Sequence, residues 1–383
     1  MKILLGQLGA NGDCLYATTV ARQLKNDFPN ATLTWAISTQ CAHLLANNPF
    51  IDNVWQWPIK DWEGHISAWH ALERTVLRNH QANEPFDKII LSQIIPGNIR
   101  NYDGTIRPSI FRALKNKITV PIDSVIELSD SEKNNVENFA KENNLTSYDH
   151  VFLFECSSKS GQSKVTPDYA FEVARQVGEN VPASMFILST HEEIKSDLNN
   201  VVSAKSLSMR ENAALTHYCS MFIGCGSGLT VVATSSAGKP IPNIQILNSK
   251  KSVYASFFHD FEYFGKSGDR FIEMGDATTS HTAKAVMSFI DFGHEVTRQE
   301  FHQPIPVHFE DYIERVDRWA NRSGKYVDAL ESLMVTVERY GWCDELVRFG
   351  KQRVAKLIKK DPIMLNDQFS DNLGEFLEFL SSG

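Results

Sequence analysis

A carboxylic acid follows a glycine-rich loop near the start of the chain. Gly9, Asn11 and Gly12 lie in this loop, ahead of a helical pattern of apolar residues, and Asp13 closes it. Backbone N–H groups at a helix start can bind an anion or stabilise negative charge in a transition state. Asp13 is therefore either a general base at the mouth of a cleft or only the N-cap of the helix.

Hydroxyl and amino groups cluster after residue 155. Four serines, a glycine and two lysines follow an apolar segment there and precede Thr166-Pro167, a pair typical of a helix start. Such donors at a strand end suit a diphosphate, and Ser160 and Lys164 are the candidate ligands. Taken alone, this segment would be interpreted as an exposed polar loop.

A second glycine-rich turn, Gly224-Cys-Gly-Ser-Gly228, also follows an apolar segment and begins a helical pattern. Its backbone amides and one hydroxyl group lie at a helix N-terminus, which attracts negative charge. Two such segments in one half of the chain favour a nucleotide diphosphate as the ligand. The candidate contacts in this turn are Gly226, Ser227, Gly228, Leu229 and Thr230.

Strand and helix patterns alternate over most of the chain. Strands are expected in the first part at residues 2–5, 31–37, 53–57 and 86–92. Strands are expected in the second part at residues 150–155, 184–189, 201–204, 221–224 and 241–246. The helices between them are expected at residues 168–178, 191–198, 210–218 and 228–237. This alternation predicts two doubly wound α/β units with parallel sheets, whose ligands bind beyond the carboxyl ends of the strands.

The boundary between the two units is expected at a polar helix. Ser129 and Glu132 form a capping-box pattern that opens this helix, which ends near residue 144. We therefore expect a first domain at 1–148, a second at 149–309 and a C-terminal helical appendage at 310–383. Within the appendage, residues 348–360 carry six basic residues and no acid. That segment is either a solvated helix face or a contact with an anionic membrane surface.

Composition excludes several classes of protein. With 38 Lys and Arg against 46 Asp and Glu, the net charge of -8 gives no global basic field for nucleic acid. The six cysteines form no C-x-x-C pair, and the histidines show no metal-ligand spacing. No apolar stretch approaches the ~18 residues of a transmembrane helix, and the N-terminus lacks a signal-peptide core. A cytoplasmic protein without a metal is expected.

Several segments resemble one family. The opening MKILLGQLGANGDCLYATTVARQLKNDFPNATLTW is similar to the start of the ADP-heptose:lipopolysaccharide heptosyltransferases, members of glycosyltransferase family 9. Residues 163–167 resemble that family's lysine–aromatic–proline segment, and residues 207–215 resemble its helix before the nucleotide site. Residues 221–240 resemble its FIG-x-DSG…ALG-x-P signature. The similarity covers about residues 1–60 and 150–246.

This resemblance implies a GT-B fold, in which two Rossmann-like domains face each other across a cleft. It implies an inverting transferase with no obligatory metal, the acceptor on the N-terminal side and the nucleotide sugar on the C-terminal side. By the same resemblance, Asp13 deprotonates the acceptor hydroxyl. Lys164 and the Ser227-Gly228 turn would stabilise the leaving diphosphate. Glu192 would bind the ribose hydroxyls, a role that Glu193 could also fill; the alternative is a surface acid at a helix start.

Two departures separate this chain from the family pattern. Gly226 stands where the family has Asp, and Val231 stands where it has His, so the donor need not be ADP-heptose. The expected function is transfer of heptose or another sugar from a nucleotide-diphosphate sugar to a bacterial cell-envelope glycan or glycoconjugate. The alternatives are a sugar-nucleotide epimerase or hydrolase of the same fold, and a catalytically silent nucleotide-sugar-binding protein.

Overall fold

Two parallel sheets organise the chain in the computed structural model, which describes residues 1–81, 85–156, 161–190, 194, 197–250 and 255–354. The first sheet contains β1 (Lys2–Gly6), β2 (Thr32–Ser38), β3 (Asn53–Trp57) and β4 (Lys88–Leu91). Its order is β3-β2-β1-β4, and every neighbouring pair is parallel. The helices of this part are α1 (Asn11–Asp27), α2 (Trp62–Gln81), α3 (Arg107–Phe111) and α4 (Asp130–Glu142).

The second sheet has six parallel strands in the order β10-β9-β8-β5-β6-β7. The strands are β5 (His150–Glu155), β6 (Ser184–Ser189), β7 (Val201–Ser203), β8 (Met221–Gly224), β9 (Asn243–Leu247) and β10 (Phe271–Gly275). The helices are α5 (Pro167–Asn180), α6 (Glu211–Leu215), α7 (Gly228–Ala233), α8 (Phe257–Tyr263) and α9 (Thr279–Phe301). The strand order reverses between β5 and β8, and such a reversal opens a crevice at the carboxyl ends of the strands.

β1 to β9 form close to where the sequence predicts them, because parallel strands buried on both faces are continuous apolar runs. β10 was not predicted, although four of its five residues are buried. β8 and β9 are buried along their whole length. The capping box at Ser129 and Glu132 is also present. The helices differ more from expectation: α1 begins at Asn11, and α7 ends at Ala233. The helix expected at 191–198 does not form at its described residues, 194, 197 and 198.

The C-terminal helices α10 (Phe309–Ser323), α11 (Tyr326–Tyr340) and α12 (Asp344–Phe349) pack against the first unit. Arg100 donates to the Asp328 carboxylate at 3.1 Å, and the rings of Tyr102 and Tyr312 stack at 5.9 Å. Asp103, which is buried, pairs with Arg339 at 2.9 Å. The helical appendage is therefore part of the packing of the first unit.

The basic segment of the tail is described only as far as residue 354, where residues 350–354 form a short π-helical continuation of α12. The remainder of the predicted membrane-contacting segment lies outside the described residues. Among the helices that the structure describes, none combines the length and the apolar character needed to cross a membrane.

A buried arginine ties the two units together. Arg210, at the start of α6, is 3% exposed and donates to the Glu132 carboxylate at 2.7 Å. It also donates to the carbonyl oxygens of Leu44 and Ala46, at 3.1 and 2.8 Å. These partners belong to the first unit and to the connecting helix α4, so one side chain of the second unit satisfies groups on both.

Candidate functional site

A cleft of about 630 Å³ separates the two units at the carboxyl ends of their strands. The first unit lines it with Ala10, Asn11, Gly12, Asp13, Tyr16, Gln40, Cys41, His65 and Ile106. The second unit lines it with Glu155, Gln162, Ser189, Thr190, Ala204, Lys205, Leu207, Met209, Asn212, Gly226, Ser227, Gly228, Leu229, Val231 and Ala255. The predicted acidic loop and the predicted glycine-rich turn thus lie on opposite walls of one cavity.

Asp13 is the third residue of α1, and the N-cap is Ala10. The interpretation of Asp13 as the N-cap is therefore wrong; its carboxylate instead accepts a hydrogen bond from the Ala10 N–H. The side chain is half-buried in the cleft wall. Burial raises the pKa of Asp13 to about 7, although the Ala10 N–H and the charge of Arg315 act in the opposite direction. A carboxylate with a pKa near neutrality suits a general base.

The loop before Asp13 offers fewer free amides than its glycines suggest. The Gly9 N–H donates to Gln93 Oε1 at 2.9 Å, and Gly9 itself is not among the cleft-lining residues. The expectation of a free amide at Gly9 is therefore wrong. Asn11 and Gly12 do line the cleft, and the Asn11 side chain accepts a hydrogen bond from the Cys41 thiol at 3.1 Å.

The starts of α1 and α7 approach each other across the cleft. A Cβ built on Gly228 would lie 3.4 Å from the Gly12 nitrogen and 3.6 Å from Asn11 Cβ. The Asn11 amide also donates to the sulfur of Met209 at 3.5 Å. The two glycines therefore let the acidic loop of one unit contact the glycine-rich turn of the other.

The Glu155 carboxylate, on the last residue of β5, fixes the glycine-rich turn by accepting three hydrogen bonds. Glu155 Oε2 accepts hydrogen bonds from the Cys225 N–H at 2.7 Å and from Thr230 Oγ1 at 2.8 Å. Its other oxygen, Oε1, accepts one from Ser227 Oγ. Thr230 is buried beneath the turn, whereas Ser227 lines the cleft.

The backbone explains why position 226 lacks an acid. Gly226 has a φ of 64°, and a Cβ there would lie 2.6 Å from the carbonyl oxygen of Ala255. An aspartate would therefore need both a left-handed backbone and space that another backbone occupies. In this chain the carboxylate beside the turn comes from Glu155.

Lys164 is not brought to the cleft wall. Its side chain is 76% exposed and its ammonium group pairs with Asp276 at 3.5 Å. The cation that lines the cleft is Lys205, which follows β7 and is the only lysine or arginine among the described lining residues. Two further predicted ligands, Ser160 and Glu192, lie outside the described residues, as does Glu193.

Sequence reasoning missed many of the cleft residues, among them four with side chains that can ionise: Glu155, Lys205, Cys41 and His65. Glu155 had a visible signal, because it ends an otherwise apolar buried strand at the edge where ligands bind. The others had none. Hydrogen bonding from Cys14, and then from Ser38, lowers the pKa of the Cys41 thiol to about 7 against the opposing effect of burial.

His65 brings an aromatic side chain to the first-unit wall. Its ring stacks with that of Trp62 at 6.1 Å, and Trp62 also stacks with Trp319 of α10 at 6.3 Å. Trp62 nevertheless keeps 45% of its surface exposed, whereas Trp69 is fully buried. An exposed indole beside the cleft can contact the apolar face of a sugar ring.

No protein-family model matches the chain, and no curated protein matches it in sequence. Solved structures do. A glycosyl transferase family 9 protein from Veillonella parvula is 14% identical, with a TM-score of 0.53 over 84% of this chain and 98% of that one. The ADP-heptose LPS heptosyltransferase II of E. coli is 13% identical, with a TM-score of 0.50 over 78% of this chain and 99% of that one. At such identities the similarity is one of fold, and it confirms the predicted GT-B class of two Rossmann-like units.

Proposed function

We propose that this protein is a glycosyltransferase that moves a sugar from a nucleotide-diphosphate donor to a hydroxyl group of a glycan acceptor. The observation that carries the proposal is Asp13, a half-buried carboxylate with a pKa raised to about 7 on the wall of an interdomain cleft. The GT-B fold and the resemblance of residues 1–60 and 150–246 to one transferase family support it.

In the proposed reaction, Asp13 accepts the proton of the acceptor hydroxyl. The acceptor oxygen then forms a bond to the anomeric carbon of the donor sugar, while the bond from that carbon to the diphosphate oxygen breaks. For a single displacement, the acceptor oxygen attacks the anomeric carbon from the face opposite the leaving diphosphate oxygen. We place the acceptor beside Asp13 on the first unit and the diphosphate at the glycine-rich turn on the second. Such a displacement inverts the configuration at the anomeric carbon.

The leaving diphosphate needs positive charge or N–H donors where its charge develops. Lys205 is the cation on the cleft wall, and the backbone amides of Ser227, Gly228 and Leu229 are the nearby donors. Because α7 has only six residues, we assign the effect to the amides themselves and not to a helix dipole. Lys164 could contribute only by leaving its ion pair with Asp276.

We further propose that no metal ion is required and that the acceptor binds on the first-unit wall, beside His65 and Trp62. A bacterial cell-envelope glycan or glycoconjugate is the proposed acceptor, and heptose is one candidate donor sugar. The proposed location is the cytoplasm, with the basic residues 348–360 as a contact for the inner membrane surface. Excess EDTA should leave the rate of transfer unchanged.

The test has two stages. A thermal-shift screen with ADP-, UDP-, GDP- and CMP-sugars identifies the donor, because a ligand that binds only the native state raises the melting temperature. Transfer from that donor is then measured over a panel of glycan acceptors with wild type, Asp13→Asn and the control Asp27→Asn, which alters the other end of α1.

We expect transfer by wild type and by Asp27→Asn, and none above background by Asp13→Asn. Normal transfer by Asp13→Asn would overturn the assignment of the base. Turnover of the donor in the absence of any acceptor would instead show an epimerase or hydrolase. Donor binding without turnover over the whole acceptor panel would show a silent binding protein.

A further inference from the structure

The hydroxyl hydrogens of the glycine-rich turn are already committed to a buried carboxylate. Glu155 is 2% exposed yet contributes to the cleft wall. Ser227 and Thr230 each donate their single hydroxyl hydrogen to it. A hydroxyl group has one hydrogen and two lone pairs, so each of these groups can only accept a further hydrogen bond.

The same count applies to the carboxylate. An ionised carboxylate has about four acceptor positions, and the described residues fill three of those on Glu155, with Cys225 N–H, Ser227 Oγ and Thr230 Oγ1. One position remains without a partner among the described residues. Because Glu155 and Ser227 both line the cleft, the carboxylate and the lone pairs of the Ser227 hydroxyl give this part of the wall hydrogen-bond acceptors and a negative charge.

Such a corner does not suit a phosphate group. Phosphate oxygens are themselves negatively charged acceptors, so the Ser227 hydroxyl could bind one only by abandoning Glu155 and leaving a buried carboxylate short of a donor. The group that fits here is a donor, either a hydroxyl or an ammonium. A sugar carries such groups and a diphosphate does not.

We infer that Glu155 and Ser227 form the subsite that recognises the donor sugar, through a hydroxyl or ammonium group of that sugar. This inference rests on the proposed transfer from a nucleotide sugar. In this inference the glycine-rich turn has two functions. Its backbone amides bind the diphosphate, and the Ser227 hydroxyl together with the Glu155 carboxylate binds the sugar. Specificity for the sugar then comes from a strand residue, since Gly226 cannot carry a side chain.

The experiment compares the affinity for a nucleoside diphosphate with the affinity for its sugar conjugate. The variants are Glu155→Gln and Ser227→Ala. The matched control is Glu273→Gln, since Glu273 is also buried, also accepts from a serine hydroxyl, that of Ser256, and lies outside the cleft wall. Calorimetry gives dissociation constants for ADP, UDP and GDP and for their glucose conjugates, and thermal unfolding confirms that each variant is folded.

We expect Glu155→Gln to weaken binding of the sugar conjugate by about tenfold or more, the range for a hydrogen bond to a charged group. Its affinity for the nucleoside diphosphate should stay within twofold or increase, because a negative charge has been removed. Ser227→Ala should weaken the conjugate about threefold to tenfold by the same selective pattern. Glu273→Gln should change neither affinity.

Monodeoxy analogues of the glucose conjugate, and the conjugate of glucosamine, identify the recognised group. Wild type should discriminate against one deoxy position or favour the amine, and Glu155→Gln should lose that preference. Equal weakening of diphosphate and conjugate, or no change in either, would overturn the inference. If Glu155→Gln does not fold, Ser227→Ala decides by the same comparison.

Failure of the proposed function gives a different result. If wild type discriminates among the sugar analogues as described but transfers no sugar, the sugar subsite is supported and the transferase assignment is wrong. A wild-type protein that binds no nucleotide and no conjugate overturns both.

Discussion

Replacing Asp13 by asparagine should abolish transfer and, at alkaline pH, stabilise the protein. The ordinary pKa of an aspartate side chain is 3.8, and burial raises the pKa of Asp13 to about 7 in the folded chain because it disfavours the charged form. The unfolded chain therefore releases the proton at lower pH than the folded chain does. Across that interval the folded state binds more protons, so its stability falls as pH rises.

The size of the effect follows from the shift. Each pKa unit corresponds to about 1.4 kcal/mol, so the whole shift would amount to about 4 kcal/mol. Because the side chain is half-buried and cleft water screens its charge, about 2 kcal/mol should be measurable at pH 8. At pH 5 the same difference should be below about 1 kcal/mol, since the folded carboxyl group is still protonated there.

Asparagine isolates the contribution of Asp13 ionisation to the free energy of unfolding. It is the same size as aspartate and can still accept a hydrogen bond from the Ala10 N–H, but it cannot ionise. Urea unfolding of wild type and Asp13→Asn at pH 5 and pH 8 gives the two differences in the free energy of unfolding. Other titrating groups are common to both proteins and cancel. An advantage of Asp13→Asn that is equal at the two pH values, or absent at pH 8, would refute the reasoning.

The activity of the wild type should report the same ionisation. With a pKa near 7, the ionised fraction of Asp13 rises from about one tenth at pH 6 to about nine tenths at pH 8, so kcat/KM should rise roughly tenfold. Arg315→Gln removes a positive charge that lowers this pKa, so its profile should move to higher pH. A kcat/KM that is flat from pH 5.5 to pH 8 would contradict Asp13 as the base.

Three further outcomes are expected. Gly226→Ala should lower the free energy of unfolding by about 2 kcal/mol or more, because the new Cβ combines a left-handed backbone with a clash against the Ala255 carbonyl oxygen. The control Gly265→Ala, at a similar φ of 62° with nothing within 4 Å, should cost about 1 kcal/mol. Equal losses of the two variants in urea unfolding would contradict the clash. Lys205→Ala should weaken binding of a nucleoside diphosphate about tenfold in calorimetry, whereas Lys164→Ala should change that affinity less than threefold. The reverse ranking would show that Lys164 is the diphosphate ligand. Arg210→Met should cost about 3 kcal/mol or more in urea unfolding, since it removes the cation paired with Glu132 and the donor to three carbonyl groups at the contact between units. A loss below about 1 kcal/mol would show that water replaces these bonds.

Nine of the ten strands that the structure describes could be predicted from the sequence because their signal is local. β10 was missed, since Glu273 interrupts its apolar run. A buried parallel strand is a short apolar run, and HVFLFE at 150–155 forms a strand with those bounds. The capping box at Ser129 and Glu132 is equally local, since its two side chains satisfy each other within one helical turn. Element ends such as that of α7 were predicted less well, because contacts from distant residues decide them.

The candidate site was predicted only in part, for the same reason. Asp13 and the 226–229 turn were identified as candidates because glycines mark a tight approach of the backbone. The role of Glu155 depends on partners about 70 residues further along the chain, and no spacing rule reveals that its carboxylate receives the hydroxyl hydrogen of Ser227. Likewise, the pairing of Lys164 with Asp276, which keeps that lysine out of the cleft wall, is made across 112 positions.

The return of helices α10–α12 to the first unit has a consequence for how the chain is synthesised. Arg100 can form its ion pair only after Asp328 has been synthesised. The carbonyl oxygen of Tyr102 can accept its hydrogen bond only after Ser332, 230 residues later in the chain, has been added. The second unit, whose sheet runs from 150 to 275, is complete well before that point. The domain that begins first is therefore finished last, and an N-terminal fragment ending at residue 148 would expose the apolar surface that α10–α12 cover in the complete chain.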